Sequence, residues 1–218
     1  MGMHFGILAA TTSWATLREK LLPRVGELRP AGASRDFEQL KNQNPDCFVL
    51  VAGEYAGKAY VMDESFDLSM AYPDLIVALS ADLAGRVVGC GAETVSGTFD
   101  FNLADNGTLK RLYHQCNMAI SQPFALGDPM ASERSSPYDQ LDGEGLVAAL
   151  REAGFDYDGF YEKGTHSCYY YKPDPDRMRK EVESGTLGKQ LQAHHEQYKF
   201  PDGQAPQPGI VFRTQRFV

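Results

Sequence analysis

The sequence lacks most of what would classify a protein at sight. It has only four cysteines and one tryptophan. Cys47, Cys90, Cys116 and Cys168 stand far apart in a chain long enough to bury a core, so reduced thiols are expected and a disulfide scaffold is excluded. Long apolar runs are missing: the stretches 5–10 and 47–52 are strand-sized, far below the roughly 20 residues of a membrane-spanning helix. No basic segment precedes residues 5–10, so no secretory leader is expected, and the expected location is the cytoplasm. Positive charge is scarce. With 21 basic against 29 acidic residues the net charge is -8, the wrong sign for a protein that grips nucleic-acid phosphates. Neither nucleic acid nor a membrane is an expected partner. The usual phosphate-loop, dinucleotide-binding, zinc-protease and nucleophile-elbow signatures are absent as well.

What is there is an ordinary globular composition, 43% apolar and 23% charged over 218 residues. One domain over 1–218 is expected, with a long loop over 117–141 and a C-terminal appendage from residue 174. Residues 4–11 read as a strand. Ser13 is placed to cap a helix that carries Trp14, Leu17 and Leu21 at helical spacing, and Pro23 to kink or end it. Residues 26–46 read as a loop with one short helix near 37–40. Strands over 47–52 and 58–62 flank a turn rich in glycine. Pro73 and Asp74 open a helix striped by Leu75, Leu79 and Leu83, and Gly85 stops it. Strands over 86–93 and 95–103 lead to Asn106-Gly107, the clearest hairpin signal in the chain, with a returning strand over 108–116. A helix over 142–153, a strand over 165–171, a polar helix over 174–195 and a strand over 210–213 follow. Hairpins dominate this order, so the expected class is α+β: a mainly antiparallel sheet with helices packed on one face.

Two His-x-Cys pairs are the sharpest chemical pattern. His114 and Cys116 share one expected strand, His166 and Cys168 another, and a spacing of two puts each pair on one strand face. Were those strands neighbours, two imidazoles and two thiolates would form a tetrahedral zinc site, with zinc as the cofactor. The competing expectation is that the cysteines pack in the core and no cofactor is bound. The same reasoning treats Cys90, between Gly89 and Gly91, as a small buried residue before a nucleophile. His194-His195 reads as a solvated pair, and Asp63, Glu64 and Asp67 as a solvated turn. Tyr157, Tyr161, Tyr169 and Tyr171, interleaved with Asp158, supply the polar-tipped aromatic area that is enriched at interfaces, and the acid favours a basic protein partner.

The stretch 72–116, with Pro73-Asp74-Leu75, Val95-Ser96-Gly97-Thr98-Phe99 and Asn106-Gly107-Thr108-Leu109-Lys110-Arg111, resembles a segment of small cytosolic bacterial proteins, some of them thought to be immunity proteins paired with toxins. The resemblance covers about a fifth of the chain and transfers no catalytic residue. It implies an acidic α+β protein that works by binding another protein. The leading expectation is thus a protein-binding module, an inhibitor of a basic toxin by stoichiometric binding. The alternatives are a hydrolase using a metal or cysteine site, and a homodimeric structural domain paired through an edge strand such as 108–116.

Overall fold

The computed structural model describes residues 4–32, 37–63, 68, 73–134 and 142–201. The expected strand over 210–213, together with Glu64 and Asp67, lies outside the described residues. In chain order the elements are β1 (His4–Ala10), α1 (Trp14–Val25), β2 (Gly26–Gly32), α2 (Phe37–Gln43), β3 (Phe48–Tyr55), β4 (Lys58–Asp63), α3 (Pro73–Asp82), β5 (Arg86–Glu93), β6 (Thr98–Asp105) and β7 (Thr108–Cys116). There follow β8 (Phe124–Gly127), α4 (Ala131–Arg134), α5 (Gly143–Glu152), α6 (Tyr157–Lys163), β9 (Thr165–Pro173), α7 (Pro175–Ser184) and α8 (Thr186–Tyr198). The strands form a single nine-stranded sheet in the order β2-β9-β3-β4-β1-β5-β6-β7-β8, and every pairing in it is antiparallel.

Local chemistry explains the boundaries. Ser13 caps α1, its hydroxyl accepting the Thr16 N–H at 3.2 Å. Pro23 is tolerated inside the last turn, and α1 runs on to Val25. The β6–β7 turn places Asn106 at φ 49° and Gly107 at φ 75°, the double left-handed geometry of a tight hairpin. Asp142 and Asp156 cap α5 and α6 through the N–H groups of Gly145 and Gly159.

The α+β class and the antiparallel sheet are as expected, but helices cover both faces of the sheet, not one. The strands alternate: Phe5, Ile7 and Ala9 of β1 join a core with Leu146 and Leu150 of α5 and Phe160 of α6. Leu8 and Ala10 of the same strand join Leu17 and Leu21 of α1 and Leu75 and Leu79 of α3 on the other side. A strand apolar on both faces has to be covered twice. Two supposed loops also hold strands. Residues 26–32 form β2, an edge strand whose pattern Pro30 and charged Glu27 and Arg29 obscure, as edges often do. Within 117–141 lie β8, the opposite edge, and α4. The polar helix over 174–195 is broken at Gly185 into α7 and α8.

Candidate functional site

The sheet order decides the fate of the two His-x-Cys pairs. Five strands stand between β7 and β9, so about 29 Å separates them at the usual 4.8 Å per step. The pairs also face opposite sides of the sheet. Cys168 packs with Val49 and Val51, while Tyr169 and Tyr171 of the same strand join the α1–α3 side. His114 alternates with Tyr113, which belongs to the α5 side, and so faces the α1–α3 side. His114, Cys116, His166 and Cys168 therefore do not form a zinc site. Among the described residues no group of three or more His, Cys, Asp or Glu side chains is placed to hold a metal ion. Cys116 instead accepts a hydrogen bond from the Thr98 hydroxyl at 3.3 Å, and the His166 ring stands edge-on to Phe160.

The tyrosine strip is divided as well. Tyr169 and Tyr171 are core residues: the Trp14 indole donates to the Tyr169 hydroxyl at 2.8 Å, and the Tyr171 hydroxyl donates to the Val25 carbonyl at 3.3 Å. Tyr157 packs against Phe5, and Asp158 pairs with Arg151. Of the five, only Tyr161, at 61%, and Asp158 are exposed. Aromatics on alternating strand positions next to central strands were claimed by the core.

The structure assembles a different cluster. Asp100 on β6 lies directly opposite His114 on β7, and its Oδ1 is 2.7 Å from His114 Nδ1. Both are deeply placed, the Asp100 side chain 3% and the His114 side chain 12% exposed. On the far side of that imidazole, His114 Nε2 is 2.7 Å from Nε2 of His195, with the ring centroids 4.8 Å apart. Three side chains from β6, β7 and α8 thus form one hydrogen-bonded chain from the sheet to the half-buried surface.

Helix α8 reaches this position through polar contacts at its two ends. It has no capping side chain of its own at Gly185. Asp74 of α3 supplies one, accepting the Leu187 and Gly188 N–H groups at 3.2 and 2.7 Å. At the other end Ser121 N–H donates to the Tyr198 carbonyl at 2.9 Å, Lys199 bridges Ile120, and His194 Nε2 bonds the Gln122 carbonyl at 2.9 Å. Phe124 of β8, opposite His114 in the sheet, packs on the His194 ring.

Hydrogen-bond accounting assigns the tautomers. An ionised Asp100 takes the Nδ1–H of His114, which leaves His114 Nε2 as an acceptor and makes His195 Nε2–H the donor. His195 Nδ1 then carries a lone pair, and no hydrogen bond joins it to any described residue. Burial raises the pKa of Asp100, and the charge of His114 and its hydrogen bond pull the other way. Burial lowers the pKa of His195, aided by His114 and then His194 and opposed by Glu196. One more polar group lies on this floor. Asn102, two residues along β6 and on the same face as Asp100, is 2% exposed.

Comparison of the chain with protein-family models, curated proteins and solved structures gives no match. The site is therefore read from its own geometry. Sequence reasoning placed His114 with Cys116 and left His195 in solvent. What hid the cluster is one residue. Counting back from the turn pair Asp105–Thr108, a regular hairpin would set Asp100 opposite Tyr113. A β-bulge makes Lys110 the extra residue between the pairs Ala104–Leu109 and Leu103–Arg111, and the shift brings His114 to Asp100. The available signal was chemical: polar Asp100 and Asn102 alternate with Phe99, Phe101 and Leu103 along β6.

Cys90 offers no second site. It is fully buried, and burial pushes its thiol pKa well up, with the Asp100 charge adding to it, which opposes formation of a thiolate. No helix among the described residues is long and apolar enough to cross a membrane.

Proposed function

We propose that the protein is an acid–base catalyst in which His195 exchanges a proton with a water or hydroxyl group of the substrate. The observation that carries the reading is the unbroken chain of 2.7 Å hydrogen bonds from Asp100 through His114 to His195. The proton balance is simple. A substrate proton goes to His195 Nδ1, the Nε2 proton of His195 passes to His114 Nε2, and the resulting His114 imidazolium faces the Asp100 carboxylate. The reverse sequence returns the proton to a leaving group. Asp100 never leaves its place: it orients His114 and offsets its charge, a second-step role typical of buried carboxylates behind a histidine base. This replaces the metal or cysteine site of the hydrolase expectation with a histidine pair.

The test uses a panel of chromogenic esters, phosphate esters and glycosides with the full chain and its His195→Ala and Asp100→Asn variants. Wild-type turnover that falls about 10²–10⁴-fold in His195→Ala, with thermal unfolding retained, supports the reading, because that is the usual share of a positioned base. No wild-type turnover on the panel, or undiminished turnover in both variants, overturns it.

A second reading is a binding module that inhibits a basic protein, as the resemblance to immunity proteins implied. It draws support from the net charge of -8 and from exposed Tyr161 beside Asp158. Its check is stoichiometric, salt-sensitive retention of one partner from extract, lost in Tyr161→Ala.

A further inference from the structure

We propose that the His114–His195 contact is an acid-labile latch that frees the C-terminal half of α8 from the sheet when the pair takes up a second proton. The proposal rests on the hydrogen-bond chain of the catalytic reading and on nothing else in it.

Two nitrogens 2.7 Å apart have room for one hydrogen between them. The neutral pair satisfies this, and so does the singly protonated pair, whose charge is offset by Asp100. A doubly protonated pair does not: two N–H groups and two positive charges then point at each other across a half-buried gap. The cost is repulsion plus the loss of the bond, and the rings must separate.

The surroundings decide what moves. His114 is fixed in the sheet between Asp100 of β6 and Phe124 of β8. His195 is on a helix in which Gly188 is the one buried residue among those described. The sheet is thus rigid, and the helix, with little apolar packing, is held at its C-terminal end by polar contacts: His195 to His114, His194 to the Gln122 carbonyl and Tyr198 to the Ser121 N–H. Other charged groups near the pair do not cancel the second proton. His194 on α8 adds positive charge when protonated, Glu196 is engaged by Lys199 at 2.6 Å, and Asp74 of α3 is committed to the N–H groups at the start of α8. On α7, Asp176 and Arg179 pair with each other at 3.8 Å. Cys116 of β7 and Phe124 of β8 bring no carboxylate. The N-terminal turn of α8, held by Asp74, stays attached, and the half that carries His194, His195 and Tyr198 is released.

The experiment is hydrogen–deuterium exchange of the full chain at about pH 7.5 and about pH 5.0, on either side of the ordinary histidine range, corrected for the intrinsic pH dependence of exchange. Peptides of α8 are expected to lose protection about tenfold or more at the lower pH, while those of α5 do not. His195→Gln keeps a donor and a helix former but cannot titrate, and should abolish the difference. His194→Gln should retain it. Unchanged α8 protection in the wild type, or the same loss in His195→Gln, overturns the latch. Should His195→Gln not fold, the imidazole titration of the wild type decides: two separated, mutually dependent steps for His114 and His195 support the latch, and independent titration refutes it. Absence of turnover would sink the catalytic reading and leave these outcomes untouched.

Discussion

The ion pair between Arg111 and Glu133 offers the sharpest test of how the β7–β8 edge is held. Arg111 on β7 and Glu133 on α4 are 5% and 9% exposed at their side chains. Arg111 Nε donates to Glu133 Oε1 at 2.9 Å, Nη2 donates to Oε2, and Nη1 donates to the carbonyls of Leu126 and Gly127 at 3.2 and 3.0 Å. Glu133 Oε1 also accepts the Met130 N–H at 3.0 Å. In Arg111→Met the carboxylate stays buried with that one donor, and the two carbonyls of β8 lose theirs. Removing one partner of a buried pair costs about 3–5 kcal/mol. For a domain of this size each kcal/mol moves Tm by roughly 2–4 °C, so the variant should melt about 6–20 °C below wild type. Arg111→Met combined with Glu133→Leu removes the stranded charge and should recover more than half of that loss, because an apolar replacement of a buried pair is often near neutral. Calorimetry and urea unfolding of the four members of the cycle measure the coupling. A single variant within about 1 kcal/mol of wild type, or a double variant whose loss is the sum of the two single losses, would refute the reasoning.

Other outcomes follow from single features. Gly127 sits at φ 78°, and a Cβ there would meet the Lys110 carbonyl oxygen, so Gly127→Ala should lose at least about 1–3 kcal/mol in urea unfolding. Asp142→Ala removes the cap of α5 and should cost about 1 kcal/mol, read from the urea midpoint at unchanged slope. Stability should also depend on pH through the relay. The folded pKa of His195 lies below its ordinary 6.5, so the unfolded chain binds more protons and stability falls as pH drops through 6.5 towards the folded value. Asp100 acts with the opposite sign lower down: its folded pKa lies above 3.8, so the folded chain takes up its proton first and the loss is partly reversed. In Asp100→Asn the lower reversal should vanish from the urea-midpoint profile.

Much of the framework was legible because it is local. Asn106-Gly107 announces its hairpin through backbone geometry alone, and Ser13 and the Leu75–Leu79 stripe mark helices through caps and periodicity. What was illegible depends on pairing at a distance. No sequence rule places β9 between β2 and β3, yet that placement alone separates His166 from His114 and buries Tyr169 and Tyr171. Nor does the hairpin turn disclose the Lys110 bulge, which moves His114 onto the face of Asp100. His195 was read as solvated from the polarity of its helix, and that polarity is real; its partner comes from a strand 81 residues away.

The position of β9 also sets an order of events during synthesis. Among the described strands β2 pairs with β9 alone, a ladder that waits until residues 165–173 have been made. At 5–20 residues per second the ribosome takes roughly 7–27 s to travel from Gly32 to Thr165. The β4-β1-β5-β6-β7-β8 part of the sheet can close in that interval, since its strands are all complete by residue 127. Throughout it β3 presents an apolar open edge, Val49 to Ala52, to the crowded exit of the ribosome. The nascent chain is thus most prone to aggregate through β3, and a chaperone that shields one extended segment would serve it best there.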